Sequence, residues 1–179
     1  MKTIYLIRHC QAFGQERDAN LTEIGIKQSV ELAEFFSTKN IDQIIASPFK
    51  RAVDSVVPLA NMKKLRIVKD TRLTERVLST TDQPEWFDML RRTFEDVDLC
   101  FDGGESSRTA AKRAIDVITE IVEGPYDTTL VATHGNLLSL ILNYFNNKYS
   151  FETWRDLTNP DVYQLDFDTN SINIKRIWK

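Results

Sequence analysis

The stretch Lys2–Cys10, KTIYLIRHC, decides the fold that the sequence predicts. After Lys2 it continues with β-branched, aromatic and aliphatic residues as far as Ile7, and a polar cluster follows. A short apolar run with a polar boundary is typical of a buried strand. We therefore predict a strand over Lys2–Ile7 whose carboxyl end carries Arg8 and His9.

Beyond this strand the chain alternates between predicted strands and predicted helices, without repeats or linkers. Further strands are predicted over 43–46, 65–68, 129–133, 162–168 and 172–178, and helices over 21–37, 49–60, 85–94, 106–122 and 137–146. The last two strands are joined by a predicted hairpin turn over 168–171. This alternation predicts an α/β three-layer α/β/α sandwich with a mostly parallel sheet and an antiparallel C-terminal end.

The helix predicted over 21–37 shows the kind of detail that the pattern supports. Thr22 is its predicted N-cap, because a hydroxyl oxygen there accepts a free backbone N–H of the first turn. Ile26, Val30, Ala33 and Ser37 recur at helical spacing and predict one face of an amphipathic helix.

Composition limits the class of protein. With 179 residues, 42% of them hydrophobic, the chain can bury one core, and we expect a single domain over 1–179. A net charge of -3 disfavours partners such as nucleic acid or an anionic membrane surface. The opening apolar run is far shorter than the roughly 20 residues that span a bilayer, and Cys10 and Cys100 form no CxxC pair. We expect a cytoplasmic protein; the sequence does not indicate an oligomeric state.

Chemistry-bearing residues gather at the predicted strand ends. Arg8-His9 and His134-Gly135 each end a strand, while Ser47-Pro48 ends a third, with Arg51 just beyond it. In open α/β sheets ligands bind outside the carboxyl ends of the strands, so these segments should share one edge. Two imidazoles and two guanidiniums suit a phosphate dianion, because a guanidinium donates paired hydrogen bonds. The chain has two histidines, and both fall in this set.

Six segments resemble, in the same order, signature segments of the histidine phosphatase superfamily, also called the phosphoglycerate mutase-like family. They are Leu6–Cys10 (LIRHC), Leu21–Gly25 (LTEIG), Ala46–Ala52 (ASPFKRA), Leu73–Glu75 (LTE), Gly104–Ser106 (GES) and Val131–Gly135 (VATHG). The resemblance implies a phosphoglycerate mutase-like fold. It also implies a phosphatase that acts on a small phosphorylated substrate without a metal or cofactor.

The resemblance also implies roles for single residues. His9 becomes the nucleophile that forms a phosphohistidine, and Glu75 becomes the proton donor to the leaving group. The chemistry agrees, since a neutral imidazole with a pKa near its usual value of about 6.5 is nucleophilic at pH 7. A covalent intermediate divides one hard displacement into two easier ones.

The rest of the implied pocket binds the phosphoryl group. Arg8, Arg51 and a protonated His134 would stabilise the charge that spreads over its equatorial oxygens. The resemblance adds Gln11 to the substrate-binding residues. Glu105, at the start of a predicted helix, is interpreted as a helix N-terminal acid rather than a catalyst.

The sequence departs from the family at several positions. Cys10 replaces a glycine, Gln11 stands where threonine, serine or glutamate is common, and Asn136 replaces a second glycine. The stretch after Glu75 lacks the Trp-Glu-Gly pattern of many members. Only 28 residues separate Glu75 from Gly104. A mutase needs a deep covered pocket to keep its intermediate from water, so this short segment favours hydrolysis.

Other functions compete with this interpretation. Phosphoglycerate mutase activity is the alternative within the same class, and a phosphate-binding protein that has lost turnover is the alternative outside it. A cysteine phosphatase loop at His9-Cys10 fails on spacing, because Arg17 follows after six residues rather than five and Asp18 occupies the serine or threonine position. A zinc site from these residues has no ligand-spacing motif. Trp86 and Phe87 either cover the substrate or belong to packing.

Overall fold

The computed structural model describes residues 1–169 and 171–178, and its centre is one mixed sheet. In order along the chain, the strands are β1 (Lys2–Arg8), β2 (Gln43–Ala46), β3 (Ile67–Lys69), β4 (Thr128–Thr133), β5 (Asp161–Phe167) and β6 (Ile172–Arg176). Across the sheet their order is β3-β2-β4-β1-β5-β6. The first four are parallel and β5 and β6 are antiparallel, so the predicted sheet is confirmed.

All five predicted helices are present with slightly shifted ends. The helices are α1 (Glu23–Phe35), α2 (Lys50–Lys63), α3 (Trp86–Glu95), α4 (Ser107–Glu123), α5 (Gly135–Phe145) and α6 (Phe151–Arg155), with a 3-10 turn at Thr71–Leu73. The 3-10 turn and α6 were not predicted, because so few residues carry no helical periodicity. No helix in the described ranges has the length and apolar character needed to cross a membrane.

Helices cover both faces of the sheet, and β1 shows why. Its side chains alternate, so Ile4 and Leu6 pack with α4 and α5 on one face. Tyr5 and Ile7 pack with α1 and α2 on the other face. A strand that is buried on both sides has a continuous apolar sequence rather than an alternating one. The predicted three-layer sandwich is therefore confirmed.

The predicted face of α1 is wrong at Ile26, Val30 and Ser37, whereas Ala33 is buried as predicted and the N-cap is confirmed. Thr22 accepts a hydrogen bond from the backbone N–H of Gly25 at 3.0 Å. Ile26 and Val30 are 57% and 47% exposed. The buried residues are Gly25, Ser29, Leu32 and Ala33. The first two are small, so close approach of the helix to its neighbours, rather than hydrophobicity, selects the buried face.

The predicted hairpin at the end of the chain is only partly described. Antiparallel pairing of β5 with β6 is confirmed, and Asp168 N–H donates to the carbonyl oxygen of Ser171 at 2.9 Å. Asn170, which belongs to the predicted turn over 168–171, lies outside the described residues.

Strand ends of the parallel half meet as predicted. The backbone N–H of His9 donates to the carbonyl oxygen of Thr133 at 3.0 Å, and that of Ser47 donates to Ala132 at 2.9 Å. The segments that follow β1, β2 and β4 are therefore neighbours. From the antiparallel side, the amide of Asn159 donates to the His9 carbonyl oxygen at 2.7 Å.

We predict that Gly25→Ala destabilises the fold. A β-carbon at Gly25 would lie 2.0 Å from the carbonyl oxygen of Gln11, in the loop that follows His9. Alanine favours helices by about 1 kcal/mol over glycine, so without this clash the substitution would stabilise α1. Overpacking should instead cost about 1–3 kcal/mol in free energy of unfolding, measured by urea denaturation.

Gly14→Ala is the matched control for this prediction. A β-carbon there would meet only the carboxylate end of Glu16, which can move aside. The urea concentration at which half of Gly14→Ala is unfolded should stay close to that of the parent protein. A midpoint for Gly25→Ala at or above that of Gly14→Ala would contradict the proposed contact.

Candidate active site

His9 is held as a neutral imidazole with a defined tautomer. Its ring is buried, and Nδ1 lies 2.7 Å from the carbonyl oxygen of Cys10. A carbonyl oxygen only accepts, so Nδ1 carries the proton and Nε2 keeps its lone pair. Arg51 Nε–H donates to that lone pair at 3.1 Å. Burial lowers the pKa of His9 to about 3, with Arg51 and Arg8 adding to the shift, so the imidazole is neutral at pH 7.

Two arginines lie beside this imidazole with part of each guanidinium already bound. Arg51, in the first turn of α2, is fully buried, and its Nη1 donates to the carbonyl oxygens of Gln15 and Glu16 at 3.0 and 2.8 Å. Arg8 ends β1, and its Nη1 donates to the carbonyl oxygen of Leu157 at 2.9 Å. These backbone contacts fix the orientation of both side chains.

His134 is a second buried imidazole, and it lies beside Ser47. Its Nε2 lies 2.8 Å from the hydroxyl oxygen of Ser47. That oxygen also accepts the N–H of Phe49 at 3.3 Å. We assign the tautomer in which the hydroxyl donates to Nε2 and Nδ1 carries the proton, because it gives the hydroxyl proton an acceptor.

His134 is neutral in the unliganded site, while the predicted protonated His134 concerns the phosphoryl-bound site and stays a prediction. Burial first, then the neighbouring His9 and Arg51, lowers the pKa of His134 well below the usual value of 6.5. The two imidazole rings lie 5.2 Å apart, so a charge on either would be close to several cations. His134 therefore acts as a neutral hydrogen-bond donor through Nδ1–H.

Unpartnered polar atoms converge on this site. In residues 1–169 and 171–178, the buried side-chain nitrogens and oxygens without a hydrogen-bond partner are Arg8 Nε, Arg51 Nη2, His134 Nδ1, Asn136 Nδ2 and Asn136 Oδ1. Four of these five atoms are N–H donors. Leaving such a group unpaired costs about 1–3 kcal/mol, and native proteins rarely accept it without a functional reason. The arrangement suits an anion that accepts several hydrogen bonds.

Asn136 is the member of this set that the sequence reasoning missed. It was interpreted only as a departure from a family glycine. Its position directly after His134-Gly135, in the first turn of α5, was the signal that could have found it. A β-carbon at Gly135 would lie 3.0 Å from Arg8 Nε, so a larger residue there would crowd that guanidinium.

Glu75 reaches the site through contacts with both β4 and α5. Thr133 donates its hydroxyl to the carbonyl oxygen of Leu73 at 2.8 Å, which ties the preceding segment to the end of β4. The Glu75 carboxylate accepts the backbone N–H groups of Asn136 and Leu137 at 3.0 and 2.9 Å. A carboxylate is favoured there by the positive end of the helix dipole. Glu75 is thus held next to the helix that carries Asn136.

Of these groups, Arg8, His9, Arg51, Glu75 and Asn136 line one cavity of about 780 Å³, whereas His134 is not among its lining residues. Its wall contains Arg8, His9, Gln15, Arg17, Phe49, Arg51, Glu75, Arg76, Val77, Leu78, Ser79, Trp86, Leu90, Gly135, Asn136 and Trp154. The structure does not bring Gln11 into this wall. The side-chain oxygen of Gln11 accepts the hydroxyl of Thr22 at 2.8 Å, and its backbone N–H donates to Gln28 at 2.9 Å. Gln11 instead ties the loop after His9 to α1.

Cys10 and Glu105 do not take part in this wall. Burial raises the pKa of the Cys10 thiol to about 11, so it is not a nucleophilic thiolate at pH 7. Glu105 accepts from Arg113 at 2.8 Å and from the backbone N–H of Val77 at 3.2 Å. These contacts give Glu105 a structural role.

Fold and site together define a phosphate-handling protein with the phosphoglycerate mutase-like architecture. The sequence profile described as histidine phosphatase superfamily (branch 1) matches residues 4–178. The chain belongs to the histidine phosphatase superfamily. The predicted family and the predicted class of enzyme, a phosphoric monoester hydrolase, are thereby confirmed.

Comparison with individual proteins gives the same class. The chain is 28% identical over 158 residues to the putative phosphoserine phosphatase 2 of Hydrogenobacter thermophilus, which covers 79% of this chain and 77% of that protein. A solved mycobacterial glucosyl-3-phosphoglycerate phosphatase in complex with inorganic phosphate has a TM-score of 0.79 at 26% identity, over 99% of this chain and 96% of the other. A phosphoglycerate mutase from Bacillus anthracis shares the fold, with a TM-score of 0.76 at 14% identity over 98% and 92% of the two chains.

We predict that neither histidine titrates near pH 6.5. With ¹⁵N-labelled histidine, the ring signals of His9 and His134 should keep their neutral positions from pH 8 to pH 5. Because the folded pKa values are lowered, the unfolded chain binds more protons below pH 6.5, and stability falls as the pH is lowered through that range. For His9 the slope approaches about 1.4 kcal/mol per pH unit. A midpoint near 6.5 for either ring would contradict the burial argument.

A second prediction concerns Ser47, which orients His134 without lining the cavity. Ser47→Ala should lower kcat/KM for phosphomonoesters about five- to tenfold, the loss expected for one hydrogen bond of roughly 1 kcal/mol. Inhibition by inorganic phosphate should weaken in parallel, since His134 Nδ1–H would no longer be fixed. Ser29→Ala, at a buried serine of α1 that donates to the Ile26 carbonyl oxygen at 2.7 Å, should leave both values unchanged.

Proposed function

We propose that this protein is a phosphomonoesterase that hydrolyses small phosphorylated metabolites through a phosphohistidine at His9. The observation that carries the proposal is the set of four unpartnered N–H donors around a neutral imidazole. Relatives whose names denote phosphatases of small metabolites support this choice of substrate. The catalytic and binding roles below belong to the same proposal.

Substrate binding would prepare the nucleophile. Phosphoryl oxygens would accept from Arg8 Nε, Arg51 Nη2, His134 Nδ1 and Asn136 Nδ2. When an oxygen also takes the Nε–H of Arg51, the lone pair on His9 Nε2 is released from the hydrogen bond that holds it at 3.1 Å in the free site. The anion therefore both fills the donor set and frees the attacking atom.

Phosphoryl transfer would proceed in two balanced steps. His9 Nε2 attacks phosphorus, the bond from phosphorus to the ester oxygen breaks, and Glu75 delivers a proton to the departing alkoxide. Water then attacks the phosphohistidine, Glu75 takes its proton, and the nitrogen–phosphorus bond breaks to release phosphate. Nδ1–H of His9 keeps its bond to the Cys10 carbonyl oxygen at 2.7 Å, which stabilises the imidazolium formed in the first step.

Access of water favours hydrolysis over mutase transfer. Gln15 and Arg17 line the cavity and are exposed to solvent. A phosphohistidine in a cavity open on this side can meet water as soon as the alcohol departs. A mutase has to exclude water at that stage.

We predict that rapid quenching with a ³²P-labelled ester traps acid-labile, alkali-stable phosphate on the wild-type enzyme. His9→Ala should lose the label and more than 10³-fold in kcat/KM, since it removes the nucleophile. Cys10→Ala is the matched control at the adjacent buried position and should keep the label, because its thiol is protonated. Label retained in His9→Ala and lost in Cys10→Ala would reverse the assignment.

The same assay separates the alternatives. With 3-phosphoglycerate, the proposal predicts release of free phosphate, whereas rapid formation of 2-phosphoglycerate without free phosphate would show a mutase. A phosphate-binding protein without turnover would be stabilised thermally by vanadate but would neither form phosphohistidine nor release phosphate from any ester.

A further inference from the structure

The cavity that contains His9, Arg8 and Arg51 also has an apolar part to its lining. Val77, Leu78, Trp86, Leu90 and Trp154 form this part of the lining, which we call the aromatic wall. The rings of Trp86 and Trp154 lie 6.2 Å apart and nearly perpendicular. They come from the start of α3 and from α6, so residues distant in sequence build the wall.

Aromatic packing behind the wall fixes its position. Phe151 lies 5.3 Å from Trp154, and Phe87 lies 5.2 Å from Phe151. Edge-to-face and tilted pairs at these separations stabilise an aromatic cluster beyond the area that they bury. Trp86 is nevertheless 49% exposed, which leaves ring surface open to a bound molecule.

Arg76 holds the backbone beside the aromatic wall in place. Arg76 lines the cavity, yet it donates to Thr93 at 2.8 Å and twice to the Glu105 carbonyl oxygen, at 3.0 and 2.8 Å. Its guanidinium is occupied by these contacts, so it does not bind substrate. Gly104 packs so closely that a β-carbon would lie 2.2 Å from the Leu78 carbonyl oxygen. Arg76 therefore anchors the segment that carries Val77 and Leu78.

Charged groups on this side cannot serve a zwitterionic leaving group. Glu75 is the carboxylate in the cavity lining, and its oxygens already accept three backbone N–H groups, from Arg76, Asn136 and Leu137. The ammonium of O-phosphoserine would find no free carboxylate among the described lining residues. Among the lining arginines, Arg17 alone makes no side-chain hydrogen bond or ion pair to the described residues, and it is exposed.

We infer that the preferred substrate is a phosphomonoester whose leaving group carries an apolar or aromatic ring that packs against Trp86 and Trp154. This inference rests on the proposed function and narrows its substrate class. The phosphoryl group occupies the donor set around His9, and the ring covers the aromatic wall. Such a contact should raise kcat/KM for a ring-bearing ester about tenfold or more over an ester without a ring. This is the range expected for burying one aromatic ring against others.

The test compares three esters that all release a primary alcohol, so that leaving-group basicity does not decide the result. They are 2-phenylethyl phosphate, ethyl phosphate and O-phosphoserine. The wild-type kcat/KM should be about tenfold or more higher for the phenylethyl ester than for the other two. Equal values, or a preference for O-phosphoserine, would overturn the inference.

Trp86→Ala locates the effect on the wall. It should lower kcat/KM for the phenylethyl ester about tenfold more than that for ethyl phosphate. Tyr144→Ala is the matched control, because Tyr144 is an aromatic residue of α5 that is 61% exposed and does not line the cavity. An equal loss on both esters in Trp86→Ala would point to a general structural role and overturn the inference.

Inhibition of the wild-type enzyme gives a readout that needs no variant. 2-Phenylethylphosphonate should compete about tenfold more tightly than ethylphosphonate, and equal inhibition would overturn the inference. Failure of the proposed function is distinguishable: no ester would be hydrolysed and His9 would not be phosphorylated, which overturns both. Phosphorylation of His9 with equal kinetics for all three esters overturns the substrate class alone.

Discussion

Parallel pairing of β1 with β4 is the constraint on which the site depends. The register sets Arg8 opposite Thr133, and the His9 N–H continues the ladder to the Thr133 carbonyl oxygen. His9 follows β1 and His134 follows β4, so the pairing places these two residues side by side, with their imidazole rings 5.2 Å apart. A shift of one residue would turn every side chain of β1 to the opposite face, so the apolar core on both faces also fixes the chemistry at the end.

Burial at this edge sets the protonation state of His9 and also carries a cost. The surroundings that lower the pKa of His9 keep its imidazole neutral, while Arg51 Nη2 and Arg8 Nε stay buried without partners. A dianion would satisfy these donors and raise the pKa of the nearby imidazoles. In the proposed mechanism, binding of the substrate would therefore relieve an unfavourable feature of the free protein, and the same contacts would strengthen as charge develops during transfer.

The sequence predicted the sheet, its helices and the meeting of His9, Arg51 and His134, because those features follow from strand ends and local periodicity. The neutral state of His134 in the free site could not be predicted, since the pKa of this residue depends on burial and on cations from other elements. Gln11 lies next to the site in sequence, but its side chain binds Thr22, a contact that only the packing of α1 reveals. The buried face of α1 was predicted wrongly for the same reason, because it is set by how closely the helix packs against its neighbours.

Separate parts of the chain build the two ends of the cavity. The phosphate end comes from sheet edges and the first turns of α2 and α5, whereas the aromatic wall comes from the segment after Glu75 and from α6. Cys10 shows that a side chain next to His9 need not affect the phosphate end. Its side chain is fully buried away from the lining, and its carbonyl oxygen still orients His9. Under the proposed function, substitutions in the wall would therefore change the alcohol that is accepted without moving the groups proposed to transfer the phosphoryl group.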